Sequence, residues 1–342
     1  MTALARGPPM DAGTRSELGL PRGGLSQSGE TSRRSPGGSG RAPREIVPRP
    51  VFATPAGVEL GPGTTPHSSV TPLRLVLYNI RYGMGTGASL TLGPSPSLAP
   101  FTGVVNFLRA TRPDVAALVE VDTGSMRNGA VNQAVAIAEN LGGHEVHEAH
   151  YECKYAPNTI TQRIPVARKQ ANAFVTRRGA AARYHYFDTG VKRLVIELDL
   201  GLCSIFLVHL SLKYRHRQIQ LRDLHTLVEG VRKPVIVAGD FNTLHGPWEL
   251  DLFAAATRLK SANTERLPTY PSRRPRKELD FVLVSEEIEV VSCRVPEIFH
   301  SDHRPLVCDL LIPEETIVTR KKAGASGAAI PPVDRDAVPV HD

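Results

Sequence analysis

The chain has 342 residues, of which 41% are hydrophobic and 22% are charged, and its formal net charge is +7. This composition is typical of a soluble globular protein and excludes a collagen-like or wholly disordered chain. No apolar run reaches the ~20 residues that a membrane-spanning helix needs, and the first residues lack the apolar core of an export signal, so we expect a cytoplasmic protein without a transmembrane segment.

Both ends of the chain differ in composition from the middle. Residues 1–70 are rich in Gly and Pro, with Ser, Thr and scattered Arg between them. Such a segment cannot bury enough apolar surface to offset the entropy lost on ordering, so we predict a disordered extension over 1–70 and, for the same reason, a disordered tail over 313–342. Residues 71–312 remain, and one α/β domain can fill that length.

Apolar β-type runs alternate with helical patterns through this middle region. We predict helices at 101–110, 128–141, 215–229 and 247–259, and a Gly, Pro and Ser rich loop over 83–100. We predict strands at 73–78, 114–121, 171–176, 193–199, 203–210, 235–239, 279–284, 288–293 and 305–311. Hairpin-like strand pairs mixed with strand–helix alternation predict an α/β fold, a four-layered sandwich of two mixed β-sheets packed face to face with helices outside.

The four cysteines, Cys153, Cys203, Cys293 and Cys308, lie far apart and form no CxxC pair. We interpret them as buried thiols and not as a disulfide framework or a zinc site.

Clusters of basic residues are candidates for contacts with a polyanionic substrate, because two of the three flank strands that end in polar residues. The clusters are Arg163, Arg168 and Lys169; Lys213, Arg215 and Arg217; and Arg273, Arg274, Arg276 and Lys277.

The segment PVIVAGDFNT carries the strongest functional signal. A buried strand ends there in Asp240 and Asn242. Because residues i and i+2 of a strand point to the same face, this acid and this amide are predicted to act at one site. Gly239 permits a close backbone approach just before them. The alternative for an isolated DxN is an Asx turn that caps the next helix.

Four further fragments also place polar residues at the ends of β-type runs. LVLYNIRYG carries Asn79, DVAALVEVD carries Glu120, SIFLVHLS carries His209, and LDFVLVS followed by SDHRPLV carries Asp280, Asp302 and His303. Taken in chain order, these motifs resemble the endonuclease/exonuclease/phosphatase superfamily, whose fold is shared with deoxyribonuclease I. The resemblance extends from Leu73 to Ile312 and is to bacterial members of unassigned substrate.

Carboxylates and amide oxygens without thiolates favour a hard cation, so we expect Mg²⁺ or Mn²⁺. Glu120 is the first candidate ligand, with Asp302 and Asn79 completing or bordering its sphere.

The resemblance implies a role for each remaining motif residue. It assigns activation or positioning of the attacking water to Asp240 and the holding of the phosphate to Asn242. His303 is expected to contact a phosphoryl oxygen or the nucleophile, oriented by Asp280, while His209 binds phosphate or assists the leaving group. Whether Asp240 or His303 is the base, and whether one metal or two act, stays open.

Lys169 and Asn172, in RKQANAFVTR, are predicted substrate contacts, because the family often has a polar residue at this place.

The predicted function is therefore metal-dependent hydrolysis of phosphoric esters, by a phosphodiesterase or a phosphatase. A nuclease acting on DNA or RNA, a hydrolase of phospholipid or GPI-type lipid headgroups, and an enzyme with a small-molecule phosphoester substrate are the alternatives. A phosphate-binding module that has lost catalysis is the non-enzymatic alternative, and protein partners are left open. A serine or cysteine hydrolase is excluded, because no GxSxG elbow exists and no cysteine lies in a Cys/His context.

Overall fold

The computed structural model describes residues 69–87, 98–141, 146–177 and 179–314. The predicted disordered extension, 1–70, and tail, 313–342, fall outside these residues except at their inner edges, and both stay predictions. Positions 88–97 of the predicted loop 83–100 also lie outside the described residues.

Six strands form the first sheet. They are β1 (Val70–Asn79), β2 (Val115–Asp122), β3 (His147–Cys153), β4 (Gln170–Arg177), β11 (Glu289–Arg294) and β12 (Leu306–Pro313). The last two are the final strands of the chain in the described residues. The order of the six strands is β11-β12-β1-β2-β4-β3, in which β1 and β2 are parallel and the other neighbours antiparallel. The carboxyl ends of β1 and β2 therefore meet at one end of the sheet.

Six strands also form the second sheet. They are β5 (Ala181–Tyr186), β6 (Leu194–Asp199), β7 (Ser204–His209), β8 (Val235–Asp240), β9 (Leu259–Ser261) and β10 (Asp280–Ser285), in the order β5-β6-β7-β8-β10-β9. Here β7 and β8 are the parallel pair. Both sheets are thus mixed, as the sequence predicts.

Of the five α-helices in the described residues, four cover the outer faces of the two sheets, and the short third helix buries no residue. The five are α1 (Ala99–Thr111), α2 (Gln133–Leu141), α3 (Ile160–Arg163), α4 (Tyr214–Glu229) and α5 (Asp251–Thr257). One apolar cluster fills the space between the sheets, a second packs α1 and α2 against the first sheet, and a third packs α4 and α5 against the second. The four-layered sandwich is confirmed.

Three strands were not predicted, and each of them lies at the edge of a sheet. These are β3, β5 and β9. Edge strands face solvent, so β3 (HEAHYEC) and β5 (AARYHY) have few fully buried positions and no apolar run. Helix α2 begins at Gln133, later than the predicted 128, because Met126–Asn128 form a separate 3₁₀ turn.

One residue of the predicted basic clusters is not at the surface. Arg217 is fully buried in α4, where its Nε donates to Glu249 Oε2 at 2.8 Å. Its Nη1 donates to the carbonyl oxygens of Ser211 and Leu212, at 2.8 and 2.9 Å. Arg217 therefore fixes the turn after β7. The prediction that it borders the mouth of a site, made from its basic cluster, is wrong.

The described helices include none that is long and apolar enough to cross a membrane. The four cysteines are free, and three of them are buried, whereas Cys293 is half-buried.

Candidate active site

The polar ends of five strands from both sheets come together at one end of the sandwich. In the second sheet, His209, Asp240 and Asp280 lie side by side, because His209 pairs with Asp240 across β7 and β8 and Asp240 pairs with Asp280 across β8 and β10. In the first sheet, Asn79 and Glu120 lie at the carboxyl ends of the parallel strands β1 and β2. Topology alone thus gathers residues that are distant in the chain.

Side chains from both sheets contact Asp240. Asn79 Nδ2 donates from β1 to Asp240 Oδ2 at 3.1 Å, and His209 Nε2 lies 3.4 Å from the same oxygen. The backbone N–H of Asn242 donates to Oδ1 at 3.0 Å. Burial raises the pKa of Asp240 to about 6, and the charge of Asp280 adds to this, although His303 opposes it. A carboxylate that titrates near neutral pH suits a general base.

His303 and Asp280 form a hydrogen-bonded pair next to Asp240. Nδ1 of His303 lies 2.7 Å from Asp280 Oδ2, which also accepts from Thr269 Oγ1 at 2.5 Å. His303 Nε2 is 4.0 Å from Asp240 Oδ2. Burial alone would lower the pKa of His303, but Asp280 and then Asp240 outweigh burial and raise the pKa to about 10. At neutral pH, His303 is therefore an imidazolium ion with two N–H donors.

Glu120 is turned toward the second sheet by a bulge in β2. Its φ is 58°, and the pairing register with β4 shifts between Leu118 and Val121. Its Oε1 lies 3.5 Å from Lys154 Nζ and 3.9 Å from Lys192 Nζ. Burial alone would raise the pKa of Glu120, but the two lysines lower it below its ordinary value, so the residue is ionised. Burial, together with Lys192, lowers the pKa of Lys154 to about 8.

His209 is a neutral imidazole at this site. Lys192 Nζ contacts Nε2, and an ammonium group only donates, so the proton of the ring belongs on Nδ1. That Nδ1 is buried without a hydrogen-bond partner, 3.9 Å from Glu120 Oε1. Burial, and then the charges of Lys192 and Lys154, holds the pKa of His209 well below its ordinary value.

In the GDFN segment the backbone at Gly239 lies close to the neighbouring strand, as predicted, and a turn follows it. A Cβ on Gly239 would lie 2.0 Å from the carbonyl oxygen of Val208, so only glycine fits beside β7. Asn242 follows the end of β8 with φ 51°, and its Nδ2 donates to Leu210 O at 2.9 Å. The hydrogen bond from its N–H to Asp240 makes this an Asx turn, so the turn, and not strand alternation, directs Asn242.

The remaining predicted residues lie around this group. Asp302 Oδ2 is 3.4 Å from Arg81 Nε, and its side chain is 26% exposed. Asn172 on β4 accepts the Glu120 N–H through Oδ1 at 3.3 Å. Lys169 precedes β4 and faces a cavity beyond Thr123. Glu120, Asp302 and Asn79 stay predictions as metal ligands, and no hydrogen bond or ion pair of the described residues joins the three directly.

Three side chains of this group lie close enough together to share a cation. Among the described residues, Asp240, Asp280 and His303 have ligand atoms within 4.8 Å of one another. An imidazolium ring has no free lone pair, however, so His303 would have to lose a proton before it could bind a cation. Four buried polar atoms around the group have no hydrogen-bond partner, namely Asp280 Oδ1, Asn172 Nδ2, His209 Nδ1 and Tyr78 OH. Buried polar atoms without partners are uncommon in folded proteins, and this mixture of acceptors and donors fits a cation together with a phosphate group.

Comparison with known proteins identifies the family of the chain. Residues 76–303 match the Endonuclease/Exonuclease/phosphatase family. The chain belongs to this family. No curated protein sequence matches the chain.

Solved structures share the fold at low sequence identity. A family member from Beutenbergia cavernae DSM 12333 has a TM-score of 0.54 at 20% identity, with 70% of this chain and 72% of that chain covered. A member from Bacteroides thetaiotaomicron has a TM-score of 0.54 at 15% identity, with 72% and 97% covered. ANGEL2, described as a 2′,3′-cyclic phosphatase, has a TM-score of 0.52 at 14% identity, with 71% and 96% covered. These likenesses show the fold.

Several residues of this family member's site were not predicted from the sequence. Lys154 follows the unpredicted strand β3, and Lys192 lies in the connection between β5 and β6. Tyr82 contacts Lys154 and donates to Gln170 Oε1 at 3.3 Å. Thr269 reaches Asp280 from the segment between β9 and β10. None of them ends an apolar run, which was the signal used for the others.

Proposed function

We propose that this protein is a divalent-metal-dependent hydrolase of phosphoric esters, a phosphodiesterase or a phosphatase. The observation that carries the proposal is the meeting of an ionisable Asp240, the Asp280–His303 pair and neutral His209 in one buried group drawn from both sheets. Membership of a family named for nucleases and phosphatases supports it.

Asp240 is proposed as the group that takes a proton from the attacking water. Its pKa of about 6 keeps it ionised at neutral pH and close to the optimum for proton transfer. Its orientation is fixed by Asn79 and by the N–H of Asn242. His303, as an imidazolium ion, is a poor base and a good donor, so we assign it to the phosphoryl oxygen on which negative charge accumulates. For this reason we propose Asp240, and not His303, as the base, a choice that the sequence left open.

Asp280 acts on the reaction through His303. Its carboxylate holds the ring by the 2.7 Å hydrogen bond to Nδ1 and leaves Nε2 free to face the substrate. Neutral His209 offers its unpartnered Nδ1–H to the phosphate or the leaving group. Asn172 Nδ2 offers a further donor beside Glu120.

The donors fit a hard cation. Glu120, with Asp302 and Asn79, would hold Mg²⁺ or Mn²⁺, which when bound supplies Lewis-acid polarisation of the phosphoryl oxygen. The lowered pKa of Glu120 keeps the carboxylate ionised for this purpose. Nucleic acid, a lipid headgroup and a small phosphoester are the competing substrates, and a cytoplasmic location remains part of the proposal.

The experiment is an assay of bis-p-nitrophenyl phosphate and p-nitrophenyl phosphate with Mg²⁺ or Mn²⁺, and with EDTA. We expect Asp240→Asn and His303→Gln each to lower kcat by about 10²–10⁴-fold, the size of a lost acid or base. Asp251→Asn, an exposed carboxylate at the start of α5, is the matched control and should leave kcat unchanged. Activity that survives both site substitutions and EDTA would contradict the proposal.

A further inference from the structure

A cavity of about 430 Å³ lies at the same end of the first sheet as Glu120. Its lining includes Thr123, Gln162, Arg163, Arg168 and Lys169. Thr123 is three residues beyond Glu120, so the Cα atoms of these two residues are at most roughly 10 Å apart. Glu120 directs its carboxylate to Lys192 and His209, 3.9 Å from each, and neither Glu120 nor Asp240 lines the cavity, so an occupant of the cavity is distinct from the reacting phosphorus.

The lining of the cavity carries an excess of positive charge. Arg163 and Arg168 are exposed and Lys169 is half-buried. In the part of the chain that the structure describes, none of these three makes an ion pair, whereas Arg74, buried between β1 and β12, binds Asp309 at 2.6 Å. Like charges gathered around a concave surface without counter-charges raise the local concentration of anions.

One acidic residue also lines the cavity. Glu152 turns its Oε1 to its neighbour's backbone, where it accepts from Cys153 N at 2.6 Å. The lining therefore has three cationic side chains and one anionic side chain, and the cationic excess remains.

The walls of the cavity are fastened to the strands of the proposed catalytic site. Thr123 N and Oγ1 both donate to Lys169 O, at 2.8 and 3.1 Å. Lys154, which contacts Glu120 through its side chain, donates its backbone N–H to Gln170 O at 3.0 Å. These hydrogen bonds hold the backbone of Lys169 beside the end of β2, so this wall of the cavity has a fixed position relative to Glu120, as recognition of two parts of one molecule requires.

We propose that this cavity binds a second phosphate group of the substrate, remote from the reacting phosphorus. The inference rests on the proposed function and narrows it to substrates that carry at least two phosphates. Arg163 and Arg168 are the principal contacts, because a guanidinium group can bind phosphate through two parallel hydrogen bonds. Lys169, a predicted substrate contact, acts here and not at the reacting phosphorus. A short single strand of nucleic acid and an inositol polyphosphate headgroup share this chemistry.

The test compares Arg163→Glu/Arg168→Glu with a control of equal charge change, Arg112→Glu/Arg232→Glu. Arg112 and Arg232 are also exposed, but they follow α1 and α4 at the opposite end of the strands. Binding of fluorescein-labelled hexathymidylate is measured by anisotropy, and binding of inositol 1,4,5-trisphosphate by calorimetry, both in EDTA, so that neither measurement needs turnover. Circular dichroism checks that each variant is folded.

For the cavity variant we expect Kd to rise at least about tenfold for one of the two probes, and Kd of the control to stay within about twofold of wild type. For the oligonucleotide, the slope of log K against log salt should fall by about 1.4, from two contacts at about 0.7 each. Hydrolysis of bis-p-nitrophenyl phosphate, which has one phosphate, should keep its kcat/KM within about twofold in both variants.

Loss for the oligonucleotide alone identifies a nucleic acid substrate, and loss for the inositol phosphate alone identifies a headgroup. The inference is overturned if neither probe binds the wild type, if both bind the cavity variant as tightly as wild type, or if the control loses as much. It is also overturned if hydrolysis of the single-phosphate ester falls in parallel. If the wild type hydrolyses no ester, the proposed function fails, and the binding comparison still decides the cavity.

Discussion

Replacement of Asp280 by Asn removes the negative charge 2.7 Å from Nδ1 of His303 while keeping the shape of the side chain. At that distance and an effective dielectric constant of about 20, the attraction is roughly 6 kcal/mol, or about 4 pKa units at 1.36 kcal/mol each. Asn retains a neutral hydrogen bond, so we expect the pKa of His303 to fall from about 10 by roughly 3 units.

The sign of the effect on activity follows from the proposed roles. Asp240 must be ionised, so activity rises as pH rises through about 6. His303 must be protonated, so activity falls as pH rises through about 10. In Asp280→Asn the upper limb should move to about pH 7, and the lower limb should move below about 6, because Asp280 also raises the pKa of Asp240. The whole profile should therefore shift toward acid pH.

The assay is the pH dependence of kcat/KM for bis-p-nitrophenyl phosphate, with NMR titration of the His303 ring as a readout that does not need activity. Asp302→Asn is the control for the NMR titration alone, because Asp302 is the weakest of the causes that raise the pKa of His303 but is also a proposed metal ligand. That control should move the ring titration by less than about one pH unit. An upper limb and a ring titration that stay unchanged in Asp280→Asn would refute the reasoning.

Three further changes test the framework around the site. Gly239→Ala places a Cβ 2.0 Å from a backbone oxygen of β7, so we expect the free energy of unfolding to fall by more than about 3 kcal/mol. Urea denaturation measures this change, and an unfolding midpoint equal to that of wild type would contradict the prediction. Arg217→Met leaves Glu249 charged and buried without its partner, which should lower the free energy of unfolding by about 3–5 kcal/mol. The single variant should be less stable than Arg217→Met/Glu249→Met, and equal stability of the two variants would disprove the prediction. Burial raises the pKa of Glu278 from 4.5 to about 7. The stabilisation that the protonated side chain gives is therefore present below pH 4.5 and is lost as pH rises through about 7. Glu278→Gln keeps an oxygen that accepts from Asn263 Nδ2. We expect this variant to be more stable than wild type by about 1–2 kcal/mol above about pH 8 but not at about pH 5. An equal difference in stability at the two pH values would count against the prediction.

The central strands could be predicted from the sequence because burial on both faces requires continuous apolar runs. The β8 run is buried at every position from Val235 to Asp240, and its polar terminus was correctly placed at a strand end. The edge strands β3 and β5 could not be predicted, since most of their residues are partly or fully exposed and neither contains an apolar run.

The candidate site divides in the same way. Residues that end an apolar run, such as Glu120 and His209, were found because strand order brings such ends together. Lys154 and Lys192 lie in connections, and their positions depend on how those connections fold over the sheets. The burial of Arg217 depends on Glu249, 32 residues away, and no local pattern announces that partner.

The hydrogen bond from Asn79 to Asp240 runs from one sheet to the other. The distance between the groups that are proposed to act on the substrate is therefore set by the thickness of the apolar layer that separates the sheets, which includes Leu75 and Ile205. Substitutions that thin this layer by a single methyl group, such as Ile205→Val, cost only about 0.5–1.5 kcal/mol of folding free energy. We expect them to shift Asp240 relative to Asn79 all the same, so the proposed turnover should respond to packing changes well inside the molecule.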